Sequence, residues 1–234
     1  MKVRSPLPKS KLLFVLIFIF LGFVALQVPV NTLVGSRAKF TFFDLFAPIS
    51  GSFLGVGIGI ISVIVMQIFN LVIHGFGSVD QGAFLKLVAT LRFLPTMFGV
   101  WYFAKREGKL LILPALSIIA FNLHPVGRTV WFYSLFWVIP FLVWPFRDRF
   151  LIAKSLGSTF TAHAAGGAIW IWAFNLPANI WISLIPVTIL ERSIFTLGIS
   201  ASYILMNNVL ALAASMKLLP KGVTVNKKYL LLRH

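Results

Sequence analysis

The 234-residue chain is 59% hydrophobic and 11% charged, and its 21 Lys and Arg outnumber 5 Asp and Glu for a formal net charge of +16. Soluble domains carry about 25% charged residues, and a mean hydropathy of +0.95 excludes a fully solvated surface. The basic residues fall in short clusters between apolar runs: Lys2, Arg4, Lys9 and Lys11; Lys105, Arg106 and Lys109; Arg147, Arg149 and Lys154; Lys217, Lys221, Lys227, Lys228 and Arg233. That distribution marks loops held on the cytoplasmic side beside anionic lipid, so no nucleic-acid partner is expected. Without cysteine there is no disulfide, thiolate metal site or cysteine nucleophile.

A hydrocarbon core takes roughly 20 apolar residues as helix, and residues 12–30, 51–73, 84–104 and 130–146 approach that length. They are continuous runs rather than alternating segments, so the fold class is an all-α integral membrane protein and not a barrel. Residues 12–30 imitate a secretory signal, but they are longer than a typical signal core and lack a small-x-small cleavage site, which makes them an uncleaved first span. Residues 31–43 are polar, and Asp44-Leu45-Phe46-Ala47-Pro48-Ile49-Ser50-Gly51 leads into the second run, unwound where Pro48 lacks an N–H. Gly51, Gly55 and Gly59, spaced by four, are expected to line one face for close helix packing. Residues 74–82 read as a glycine-rich turn, and the third run carries Lys86, Arg92 and Pro95. Lys86 can snorkel to an interface, whereas Arg92 needs a partner or water.

Residues 109–123 are apolar but short, and His124-Pro125-Val126-Gly127 stops a smooth helix before 130–146. Either two spans flank a turn there or one tilted span is broken. A basic loop at 147–155 precedes 156–176, where Ser158, Ala162 and Gly166 repeat the small-residue spacing; residues 175–179 form a tight turn. The run 180–214 is too long for one straight span and is interrupted by Pro186 and by Glu191-Arg192. Residues 1–216 thus form a single transmembrane domain, a bundle of about six helices with seven as the alternative, and 217–234 a basic cytoplasmic tail. An even number of passes puts both termini in the cytoplasm of a plasma (inner) membrane protein. Lys105-Arg106-Glu107-Gly108-Lys109 is the misfit, because six passes would turn it outward.

Ionisable groups within apolar spans are functional candidates. Glu191 leads them. Its neighbour Arg192 points about 100° away around a helix, so each is expected to find its partner on another helix. His163 sits on a small-residue helix, where it either packs or projects into a cavity. His124 precedes a proline at a chain break, and Asn122, Asn175 and Asn179 offer both donors and acceptors, although asparagine also suits turns. Trp131, Tyr133, Trp137, Trp170, Trp172 and Trp181 stand toward span ends, as an interfacial belt does, though a flat ligand would use the same rings. Catalytic signatures are missing: no P-loop, no His-Glu-x-x-His, no Gly-x-Ser-x-Gly and no close carboxylate pair. Neither an enzyme nor a resident cofactor or metal is expected.

The basic first span, the run from Asp44 to Gly51 before a glycine-spaced helix, the small size and Ile185-Pro186-Val187-Thr188-Ile189-Leu190-Glu191-Arg192 opening a long last helix resemble the substrate-binding (S) components of energy-coupling factor transporters. The likeness covers most of the chain and is chiefly hydropathic. It implies a six-helix binder of a vitamin or metal ion, docked on a separate transmembrane coupling protein and two ATPases. Substrate would be captured on the outer side under residues 31–49, with Asn122, His163, Asn175 and Glu191 contributing to the pocket and His124 and Arg192 beside them. The family's docking face has small residues spaced by four in the first span, where this chain offers only Gly22 and Ala25. Two other classes compete: a structural scaffold such as the small multi-span subunits of cell-wall elongation machinery, and an integral membrane enzyme acting on lipid.

Overall fold

A computed structural model describes residues 8–32, 39–74, 91, 93–220 and 222–231. Lys86, Arg92 and most of the turn expected at 74–82 lie outside the described residues. The chain is a bundle of apolar helices, three of which, Lys9–Leu26, Val56–Ile73 and Ala178–Ser215, are long and apolar enough to cross a membrane. Large apolar side chains face outward along them, with Phe20 64% and Val72 76% exposed. Such a surface is stable against lipid and not against water. The structure is that of a helical, multi-pass membrane protein.

Helix α1 (Lys9–Leu26) rises to a small antiparallel hairpin, β1 (Pro29–Thr32) and β2 (Lys39–Thr41), with a bulge between Pro29 and Asn31. β2 and the second half of β1 fall within residues 31–43, read from composition only as a polar connection, while Pro29 and Val30 come from the end of the run read as the first span. α2 (Phe42–Phe46) starts with a capping box, in which the Thr41 N–H donates to Asp44 Oδ2 at 2.8 Å. A 3₁₀ turn through Pro48 leads into α3 (Ser50–Leu54), and α4 (Val56–His74) follows. Phe42 N–H donates to the Val28 carbonyl and Phe46 stacks on Phe18, so this leg descends antiparallel to α1. α4 climbs back parallel to α1, with Met66 against Gly22 and Asn70 bonded to Gln27 at 3.1 Å.

The reversal between α3 and α4 overturns the single glycine-lined span. Gly55 has φ +88° and ψ 151°, a backbone region that only glycine enters without strain, and a side chain there would meet open space. Gly59 instead packs on Gly51, where an added Cβ would lie 2.6 Å from that residue's backbone. The four-residue glycine spacing therefore serves a turn and a helix-to-helix contact, not one continuous face.

α5 (Phe93–Ala104) descends antiparallel to α9 (Leu151–Phe174), pairing Pro95 with Gly166 and Gly99 with Ser158. Ser158 donates to the Gly99 carbonyl at 2.7 Å, so the small-residue stripe Ser158, Ala162 and Gly166 does bring two backbones together. Between them, Gly108–Leu111 and α6 (Ile112–Leu123) go up and Trp131–Phe146, built of 3₁₀ turns around α8 (Ile139–Val143), comes down. The short α7 (Pro125–Thr129) turns the corner. Two separate helical legs thus flank the His124-Pro125 break. α10 (Ala178–Ser215) is one continuous helix with Pro186 inside it, although the sequence suggested an interruption. Its first turns pack Trp181 and Leu184 against Phe121, Tyr133 and Trp137, and its last turns carry the tail.

Basic segments collect at one end. Arg106 pairs with Asp148 at 3.0 Å, joining the loop before α6 to the loop before α9. The stretch Lys105-Arg106-Glu107-Gly108-Lys109 therefore shares the end of Arg147, Arg149 and the tail, and its conflict with the charge rule disappears because Phe42–Leu54 is an additional leg. Lys105 and Lys109 hold the Glu107 carboxyl below its ordinary range by hydrogen bonding to it. Arg147 is buried between the Tyr102 and Trp144 rings, 5.2 Å from each, and its guanidinium donates to the last-turn carbonyls of α5. Beyond α10, the chain folds back. Asn207 and Asn208 grip its backbone, exchanging bonds of 2.8–3.0 Å with Asn226, Tyr229 and Leu231.

Two outcomes check this architecture. Gly55→Ala, strained at a positive φ, and Gly59→Ala, overpacked, are each expected to lose about 1–3 kcal/mol of stability in detergent melts, whereas Gly57→Ala meets no atom and melts at or above wild type. Because the chain has no cysteine, single cysteines replacing Lys109 and Lys227 can be labelled with an impermeant maleimide in sealed vesicles. Both are expected to react from the same side; opposite sidedness would rule out Phe42–Leu54 as an additional leg.

Candidate functional site

A cavity of about 600 Å³ lies at the end of the bundle opposite the basic loops, a size typical of small-molecule sites. Its roof is the hairpin and α2, through Phe40, Thr41, Phe43 and Asp44; its walls are α4, α5, α9 and the first half of α10. The roof rests on α10, where the Phe40 and Phe195 rings meet at 5.1 Å and Leu45 covers Gly198.

His163, Glu191 and Arg192 all line this cavity. Arg192 is held between the Phe195 and Phe40 rings, 4.4 and 5.1 Å from their centroids, and reaches Thr159 Oγ1 on α9 at 3.3 Å. It also touches Glu191 at 3.4 Å. The adjacent carboxylate is thus a partner after all: the long guanidinium arm bends back across the helix surface, and the length of the contact reflects the poor angle. Burying both charges is expensive, so the pair is held by the rings and Thr159 as well as by attraction.

His163 is fixed at both ring nitrogens. The Trp137 indole N–H donates to Nδ1 at 3.2 Å, and the Tyr133 hydroxyl lies 3.3 Å from Nε2. An indole only donates, so Nδ1 is unprotonated and the proton sits on Nε2. Nε2–H then donates to the Tyr133 oxygen, and the Tyr133 O–H donates to Thr188 Oγ1 at 2.9 Å. The result is a directed chain, Trp137 to His163 to Tyr133 to Thr188, across three helical legs. Trp137 reaches the imidazole because Gly167 lets the indole lie directly on α9.

Other sequence candidates sit elsewhere. Asn122 bonds the Ile118 carbonyl at 2.8 Å and Ser134 at 3.0 Å, tying α6 to the next leg. His124 caps α7 by accepting the Val126 N–H at 3.2 Å, edge-on to Trp172. Asn175 ends α9 at φ 45°, an exposed left-handed cap. None of the three lines the cavity. Trp137 and Trp181 are 0% and 2% exposed and nest with Phe121 and Tyr133, which corrects the belt reading for these rings; Trp131 and Trp172 do face outward, and Trp170 lines the cavity.

Sequence reasoning passed over Gln67, Thr159, Thr188 and the site role of Asp44, all on the cavity wall. Gln67, one turn before Asn70 in the apolar run 51–73, was the legible signal, and Asn70 lines the cavity with it. The Gln67 Nε2, the Trp181 Nε1 and the Arg192 Nε have no hydrogen-bond partner among the described residues. All three atoms are sealed behind the lining rather than exposed on it, so they are buried donors left unsatisfied beside the cavity. Among the described residues, no group of three His, Asp or Glu is placed to hold a metal.

His163→Ala leaves the Trp137 donor and the Tyr133 oxygen unmatched and is expected to lower stability by about 2–4 kcal/mol. Tyr133→Phe should cost less, and the double variant less than the sum, because the residues share one chain of bonds. Thermal melts of the four proteins measure this coupling.

No protein-family model matches the chain, and no solved structure matches it. It is similar to the uncharacterized protein MJ0923 of Methanocaldococcus jannaschii, 26% identical over 199 residues, which covers 77% of this chain and 63% of that protein. The match spans less than two thirds of the archaeal protein, and no family is assigned by it.

Proposed function

We propose that the protein is a small-molecule-binding membrane subunit that captures its substrate from the outer side into the roofed cavity, in the manner of the S components that its sequence resembles. The observation that carries this reading is the cavity of about 600 Å³, which combines aromatic walls, a buried ion pair and the His163 imidazole. Supporting it, residues 31–49 were expected to cover the pocket, and Phe40, Thr41, Phe43 and Asp44 from that segment do line it. The collection of basic loops at the opposite end agrees with cytoplasmic termini and an outward-facing mouth. On this reading the chain is a binder and not an enzyme, and a separate coupling protein with ATPase subunits would supply energy. Gly22, one of two small residues in α1, is already covered by Met66, so α1 does not offer such a partner the family's usual small-residue face.

The test is mass spectrometry of solvent extracts from protein purified in mild detergent. One small molecule in near-stoichiometric amount is expected. Replacing the ion pair as a unit, Glu191→Leu with Arg192→Met, should keep or raise stability, since apolar residues often replace a buried pair without loss, while retained ligand falls at least about tenfold. An empty wild-type extract together with co-purified wall-synthesis or cytoskeletal proteins would replace this reading with the scaffold.

A further inference from the structure

A second concavity lies at the basic end, where the start of α9 meets the returning tail. It is a shallow groove of about 550 Å³, walled by apolar side chains including Val143, Phe146, Phe150, Ile152 and Leu156 and edged by Arg149 and Lys228. The two cations come from distant parts of the chain and are brought together by design of the fold: Lys228 Nζ donates to the Arg149 carbonyl at 2.5 Å. Each also lies over a ring that lines the groove, Arg149 over Phe150 at 5.2 Å and Lys228 over Tyr229 at 5.4 Å. Among the described residues neither has a carboxylate partner, and the nearby Asp148 is engaged by Arg106 and Arg147. Two positive charges on the lining of an exposed apolar trough call for an occupant with an anionic head and a hydrocarbon tail. Lys228 keeps two ammonium protons for it, and Arg149 its guanidinium fork.

We infer that this groove seats an anionic glycerophospholipid of the inner leaflet, its phosphate between Arg149 and Lys228 and an acyl chain along Phe146, Phe150 and Ile152. The strap that carries Lys228 is held by Asn207 and Asn208, so the lipid bridges the tail to α9 and reinforces that closure. The site is independent of the roofed cavity and of what that cavity binds.

Native mass spectrometry of the whole protein in mild detergent, titrated with phosphatidylglycerol or phosphatidylcholine, tests it. Phosphatidylglycerol adducts should exceed phosphatidylcholine adducts by about tenfold or more, and Arg149→Gln and Lys228→Gln should each weaken them roughly fivefold. Ile152→Trp, which fills the trough and leaves both cations, should also reduce them, and phosphatidylglycerol should raise the melting temperature of wild type more than that of the double Gln variant. Equal retention of the two lipids, full displacement by millimolar inorganic phosphate, or wild-type retention by the double Gln variant would each overturn the assignment.

Discussion

Close approach of α9 to its neighbours is the condition on which the rest of the structure depends. Lipid tails are as apolar as leucine, so helices in a bilayer gain little from burying apolar surface and associate through packing and hydrogen bonds at short range. Gly157 admits the Tyr102 ring, Gly167 admits Trp137, Ser158 bonds the Gly99 carbonyl, and Ser155 bonds Ser200 on α10 at 2.8 Å. Each contact uses a small or hydroxyl side chain where a leucine would hold the helices apart. The cavity is the other side of the same property: Ala162 and Gly166, which lie against Gly99 and Pro95 of α5, also line it and put no large side chain into it.

The two ends of the bundle have opposite chemistry as a result. The roofed end holds aromatic rings, a buried ion pair and a chain of hydrogen bonds under a lid of two short strands. The basic end is closed by Arg147, which satisfies the carbonyls ending α5, and by the asparagine-held tail. The cavity and the basic-end groove draw on successive stretches of α9, Ser158 to Trp170 for the first and Leu151 to Leu156 for the second.

Apolar runs and charge clusters made the helical membrane architecture legible, because both are properties of composition along the chain. The small-residue spacing from Ser158 to Gly166 was legible for the same reason: one face of one helix carries it. The fold of residues 44–73 was not, since Gly51, Gly55 and Gly59 read identically as a packing face or as a turn, and only the φ of Gly55 distinguishes them. His163, Glu191 and Arg192 stood out as ionisable groups in apolar surroundings, and all three reach the cavity. Asn122, His124 and Asn175 carry the same polar chemistry, but caps and ties use it equally, and sequence cannot tell a ligand donor from a helix cap. The strands of the roof escaped notice because three or four residues of mixed polarity show no periodicity.

The reversal at Gly55 also bears on how this part of the chain sits in the bilayer. Phe42–Leu54 is shorter than the roughly 20 residues a free-standing span needs, and it descends from the lid that follows α1. It is unsuited to partition into the bilayer by itself; α4 is long and apolar enough to do so. The short leg therefore depends on α1 and α4 beside it, against which Phe46 stacks on Phe18 and Gly59 packs on Gly51, and the reversal at Gly55 stays at the basic end of the bundle while the lid stands at the other.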